Sequence, residues 1–270
     1  MPKKPTPNVP AEQAKANLPV NTATLDALAS VAGQGLESVR REDIILPRFS
    51  ILQALSPQVN RRESEYIEGA EQGQIVNVAT GELFDALTVI PVAYQRRHIE
   101  WRPRKAGGGL VNDYGTDESI LTQCKVQEKG PAITPAGNEL VVTGTWYVLH
   151  VSPDGAMSQA FIPMSSTQLK ASRKWMTLVT SDRVQHPTKG WFQPPIYFRS
   201  YNLTTVPESN DQGNWFGWRV ERGATILELP EGQSIMSAAQ RFALAVTTGE
   251  VQAKAESFAD ERRSEDGEKF

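Results

Sequence analysis

A mainly β fold with helical insertions, of the α+β class, is what this sequence predicts. Short runs rich in Val, Ile, Thr, Tyr, Phe and Trp recur from Gln74 to Leu229. Gly, Pro, Asn and Asp turn signals separate them, and two later stretches carry helical rather than strand spacing. Many short punctuated strands favour a barrel or sandwich over a βαβ arrangement.

The expected strand runs are Gln74–Val78, Leu87–Tyr94, Ile99–Arg102, Ser119–Val126, Glu139–Val151, Met157–Pro163, Pro195–Thr205 and Asn214–Leu229. Turn signals fall at Thr80-Gly81, Gly107–Gly109, Pro135–Gly137, Pro153–Gly155 and Asn210–Gly213. Thr22 to Leu36 reads as a short, weak helix with Leu25, Leu28 and Val31 on one side, closed by Gly33 and Gly35. A second helix over 165–179 starts on Ser/Thr capping residues. It turns Leu169, Trp175 and Met176 inward and Lys170, Arg173 and Lys174 outward. A third, over 234–248, sets Ile235, Ala238, Ala239, Phe242 and Val246 at helical spacing. Ahead of these lies a Pro-rich arm, residues 1–21, expected to be disordered. Residues 22–255 are expected to form a single β-rich domain.

The segment 256–270 holds six carboxylates and three basic groups, no Val, Ile or Leu, and ends on Phe270. It buries too little apolar surface to offset its ordering entropy and is expected to be a solvated acidic tail. The tail carries the chain's whole net charge of −3, so the rest is neutral with its cations clustered. Cys124 is the only cysteine, which excludes an intramolecular disulfide and a multi-cysteine zinc site. No run of about 18 apolar residues predicts a membrane span, and the N-terminus lacks a secretory pattern.

The candidate chemistry is nucleic-acid binding. Tyr94 to Lys105 sets five Arg/Lys against one Glu. As a strand it would place Tyr94, Arg96 and His98 on one face, and Arg97, Ile99 and Trp101 on the other. Arg102, Arg104 and Lys105 follow. Tyr197, Arg199 and Tyr201 fall at one-face spacing, as do Trp215 and Arg219, with Ile196, Phe198, Phe216 and Trp218 opposite. A ring that stacks on a base beside a cation that meets phosphate is what single-strand binding needs. Lys170, Arg173 and Lys174 add a basic helix face. Trp191 and Phe192, between Gly190 and Pro194, sit in a loop-like context that favours exposure.

Catalytic patterns are weak. His98, His150 and His186 have neither metal-ligand nor nucleophile spacing, and Ala106–Leu110 is neither a Walker loop nor a dinucleotide fingerprint. Asp113, Asp117 and Glu118 could hold a divalent ion as nuclease carboxylates do, but no Lys stands at a supporting distance. A non-enzymatic protein without metal or cofactor is expected.

Leu46–Pro57, Gly73–Glu82, Val89–Val92 and Met164–Trp175 are similar to motifs of a broad set of tailed-phage replication-region proteins, covering about 44–205. Separately, the acidic tail with Phe270 resembles those of phage T7-type single-stranded DNA-binding proteins. That likeness implies an oligonucleotide-binding (OB) β-barrel and a tail that competes with DNA and contacts the replisome. Here the tail residues would be Asp260, Glu261, Glu265, Asp266, Glu268 and Phe270, although Arg262, Arg263 and Lys269 dilute the acidity. The expected function is a sequence-nonspecific phage single-stranded DNA-binding protein in the cytoplasm of the infected host. Its partners would be single-stranded DNA, replication or recombination proteins, and further copies of itself in a homo-oligomer, with no membrane. A phage structural or assembly protein and a strand-annealing recombinase are the alternatives.

Overall fold

The structure, a computed structural model, describes residues 21–40, 43–128, 130–211, 213–229 and 231–254. The acidic tail and nearly all of the expected arm lie outside the described residues. A boundary between two compact units falls at Ile45/Leu46, inside the stretch expected to form one domain.

In the N-terminal unit, α1 spans Thr22–Ser30, capped by Asn21, whose side chain accepts from the Ala23 and Thr24 amides. It stops six residues short of Leu36. Val31 already leaves helical geometry, and Gly33 and Gly35 take positive φ in the turns that follow.

In the main unit, β1 (Phe49–Ile51), β2 (Ile75–Asn77) and β3 (Leu83–Phe84) form a small antiparallel sheet. The large sheet is built on β4 (Ala86–Trp101), which joins two expected runs into one strand. Later elements are β5 (Leu110–Asp113), β6 (Ala132–Ile133), β7 (Glu139–Val151), β8 (Met157–Ser165), α2 (Leu169–Thr180), β9 (Val184–His186), β10 (Gly190–Phe192), β11 (Arg199–Asn210), β12 (Gly213–Thr225) and α3 (Gly232–Thr247). The polar stretch Gln95–His98 stays extended because β7 pairs with it throughout.

Sheet order is β12-β11-β4-β7-β6, with β5 also on β4 and β8 also on β7. These are open sheets rather than the closed OB barrel that the tail resemblance implied. No strand ladder joins β8 to β12 among the described residues. Side chains cover the outer edge of β12 instead. The Gln53 amide pairs with both the N–H and C=O of Phe216 at 2.9 Å, and Gln168 reaches the Phe216 carbonyl and the Trp218 amide at 3.0 and 3.2 Å. Two glutamines thus satisfy an edge that would otherwise template another strand.

Two cores lie on opposite faces of the β4–β7–β8 sheet. On one side Val89, Trp146, Val148, Ile162, Tyr201, Leu203 and Trp218 pack with Trp175 of α2. On the other, Ile90, Val92, Ile99, Trp101, Tyr147 and Phe161 pack under Ile235, Ala239, Phe242 and Val246 of α3. A bulge after Pro91 resets the alternation along β4, so that Ile90 and Val92 share a core with Ile99 and Trp101: the register passes from Pro91↔Val148 to Ala93↔Tyr147, leaving Val92 as the extra residue. Proline has no N–H to lose from the ladder there.

Two expected strands are shorter or absent. Ser119–Gln123 is a 3₁₀ turn, because the Asp117 carboxylate accepts from both the Ser119 amide and its hydroxyl. Ile196–Phe198 is another 3₁₀ turn, so β11 starts at Arg199; Pro194 and Pro195 have no amide hydrogen for a ladder.

Candidate nucleic-acid interface

Strand β4 distributes its side chains as the alternation predicts, but only part of the cluster reaches solvent. Arg96 is exposed. Tyr94 is half-buried, its ring centroid 4.9 Å from that of Trp146. Arg97 is buried and pairs with Asp113 at 2.6 Å. Trp101 is 4% exposed in the core beneath α3. A base needs an open ring face, so Trp101 is withdrawn as a stacking platform, and Arg97 spends its charge on Asp113.

His98 is fully buried, and neither ring nitrogen has a hydrogen-bond partner. Burial, then the Arg96 charge, holds its pKa below the usual histidine value and keeps the ring neutral. Burial pushes the neighbouring Glu100 carboxyl upward. Three donors, Tyr114 Oη at 2.7 Å and Asn138 Nδ2 and Thr134 Oγ1 at 2.8 Å, outweigh it and leave the pKa below the ordinary value. Burial raises the Cys124 thiol, with Glu100 adding to the shift, which disfavours the thiolate. Of the candidate ion ligands Asp113, Asp117 and Glu118, the first is engaged by Arg97 and the second by Ser119.

Beyond β4, Arg102 and Lys105 are exposed, and the Arg104 backbone opens a 3₁₀ turn. The loop returns through Gly107, Gly108 and Gly109 at φ 98°, 65° and 100°, a run of left-handed backbone that glycine alone adopts readily.

The Tyr197-Arg199-Tyr201 stripe does not form. Tyr197 lies half-buried in the 3₁₀ turn, where its hydroxyl accepts from Gln240 Nε2 at 3.3 Å. A register shift between Arg199 and Tyr201 then turns Tyr201 into the core at 1% exposed, edge-on to Trp175. Burial, then the Asp182 charge, pushes its pKa up to about 12. Arg199 binds Asp182 at 3.1 Å and the Gly223 carbonyl at 2.8 Å, and Arg222 shares that carboxylate at 3.6 Å. These groups hold the end of α2 to β11 and β12.

On β12 the expected division holds: Trp218 is buried and Phe216 packs on the same core, while Arg219 is exposed. Trp215 is half-buried, with its indole N–H donating to Glu208 at 3.1 Å.

Helix α2 owes its orientation to tryptophan packing. Trp175 stacks on Trp146 with centroids 4.1 Å apart and planes 15° apart, and the Trp146 indole donates to Ser172 Oγ at 2.9 Å. Gly144 makes room, since a Cβ there would lie 2.7 Å from Ser172 Oγ and 3.0 Å from Tyr94 Oη. With that side fixed inward, Lys170, Arg173 and Lys174 face solvent as predicted. Arg96 pairs across the ladder with Gly144, which brings the β4 cation to the side of the sheet that α2 covers. Before the helix, Ser166 has φ 45°, the one positive value among described non-glycine residues.

After α2 comes a feature missing from the predicted site. Strands β9 and β10 form a separate two-stranded hairpin that leaves Trp191 67% and Phe192 44% exposed. Gly190 and Pro194 were the only local signal for this; the pairing of Val184–His186 with Gly190–Phe192 was not legible from composition.

Together these elements define a β-rich α+β body with a cationic helix and an aromatic hairpin on its surface. The chain belongs to the Pam3 phage gp34-like protein family, which matches residues 13–252. It is therefore a bacteriophage protein. No curated protein and no solved structure matches it. No helix among the described residues is long and apolar enough to cross a membrane.

Proposed function

We propose that this chain is a phage single-stranded DNA-binding protein, sequence-nonspecific and non-catalytic, acting in replication or recombination. The observation that carries the reading is the charge of α2. Lys170 stands in the first turn, where the helix dipole disfavours a cation by about 0.3–1 kcal/mol. Lys174, four residues on, repels it, and the helix has no carboxylate to offset either. Cations placed against local helix stability and turned to solvent fit an external anion better than a structural role.

Backbone phosphates would be held by Lys170, Arg173 and Lys174, with Arg96, Arg102, Arg104, Lys105 and Arg219 supplementing them. Tyr94 and Trp215, both half-exposed, remain candidates for stacking. The tail residues Asp260 to Phe270 would contact replication or recombination proteins.

Fluorescence anisotropy with oligo-dT and an equal-length duplex tests this. Tighter binding to dT, weakening as salt rises, is expected; equal affinity for both, or no binding at low salt, overturns it. Replacing all three α2 cations with Gln lowers the salt slope by about 2.

A structural or assembly role draws support from α1, where Leu25 and Leu28 are exposed together on a helix with no buried residue. That reading expects oligomers that form without DNA, measurable by light scattering.

A further inference from the structure

We propose that the β9–β10 hairpin is a base-stacking pin, taking an unpaired base against Trp191 on one face and another against Phe192 on the opposite face. The inference rests on the single-strand-binding reading and names how that site would grip bases.

The register sets the geometry. Trp191 pairs with Gln185 and Phe192 with Val184, so the two rings project to opposite faces of the ribbon. Neither ring is spent on a core: Trp191 and Phe192 keep 67% and 44% of their surface in solvent, while Trp101, Trp146, Trp175 and Trp218 are buried. The hairpin tip is preorganised by His186, whose Nδ1 accepts from the Thr188 and Lys189 amides at 3.2 Å. Lys189 is thereby fixed in the turn just before the rings, and exposed Arg183 precedes the first strand.

Charge decides which occupant fits. From Arg183 to Pro207 the chain contains no carboxylate, so the hairpin itself adds no negative charge beside the rings. A two-stranded ribbon is also marginally stable by itself and gains order when its faces are covered. Stacked bases of a single strand supply flat apolar faces and phosphates together, which matches rings flanked by cations.

The test uses the full chain. Trp191→Ala and Phe192→Ala should each weaken oligo-dT binding about 5- to 150-fold, with the urea midpoint unchanged. Trp191→Phe should restore most of the loss. An abasic strand of equal length keeps the phosphates without the bases, and parent and variants should bind it equally. Unchanged dT affinity in both Ala variants, while the α2 Gln variant loses it, overturns the pin and leaves the proposed function standing. A loss that persists on the abasic strand also overturns it, because stacking is then not the contact. If the parent binds no dT, the functional reading falls and the pin with it.

Discussion

Residues Tyr94 to Lys105 and residues Arg183 to Phe192 both set cationic and imidazole groups beside aromatic rings. The first segment is mostly the spine of a sheet with a core on each face; the second is a detached ribbon with its rings in solvent. Two cationic residues precede each of Trp101 and Trp191 in these segments, yet one ring is 4% and the other 67% exposed. Composition announces that rings and cations are present. Whether a ring is available depends on what packs over its strand: distant α3 covers Trp101, whereas the β9–β10 ribbon leaves most of Trp191 in solvent.

The contrast can be broken at several points. The largest effect is expected for Trp101→Ala, which empties part of the core under α3 and should cost about 3–5 kcal/mol in urea unfolding. Trp191→Ala should stay within about 0.5 kcal/mol. Comparable losses from the two would show that the hairpin is part of the folded core.

The arginines sharpen the same point. Arg97→Ala leaves Asp113 buried without its counter-charge and should cost about 3 kcal/mol, while Arg96→Ala, at an exposed position, should be nearly neutral for stability. If DNA is bound, Arg96→Ala should weaken it and reduce the salt slope by about 0.7.

Gly144→Ala would drive a methyl into Ser172 and Tyr94 and displace α2, with a loss of about 1–3 kcal/mol in thermal or urea unfolding. An unchanged midpoint would mean that the helix does not sit on β7 as described.

The gentlest expectation concerns pH. Burial lowers the pKa of His98 and, against an opposing Glu82 charge, of His150, below the ordinary value of 6.5. The unfolded chain therefore takes up protons first as pH falls through 6.5. Stability from these neutral rings is full above that point and declines below it, toward the folded pKa values. Glu100, held below the ordinary 4.5, adds a further loss at more acidic pH. Urea midpoints should thus fall steadily from neutral to acidic buffer; a flat profile would contradict the burial of His98 and His150.

Most element types are legible in the sequence. Glu139–Val151 reads as a near-continuous run of strand-forming residues because it is the central partner of both β4 and β8 and is buried on both faces, so local pattern and tertiary role agree. The inward face of α2 and the Phe242 side of α3 were legible for the same reason. The misses have local causes. Asp117 captured the Ser119 amide and made a turn from an apparent strand. The register shift beside Ser200 broke the alternation that would have aligned Tyr197, Arg199 and Tyr201. Neither a bulge nor a side-chain cap alters hydrophobic period enough to be read in advance.

Sequence alone determined the α+β character, the helix faces and the positions of the cations, because these follow from short-range periodicity and turn chemistry. Only tertiary structure decided that the sheet stays open, with Gln53 and Gln168 covering the β12 edge. It alone decided that Trp101 and Tyr201 are core, whereas the exposure of Trp191 and Phe192 agrees with the loop-like context that Gly190 and Pro194 signal. Those outcomes depend on contacts between residues far apart in the chain, such as Gln53 with Phe216 or Trp146 with Trp175, and local pattern carries no record of such pairings.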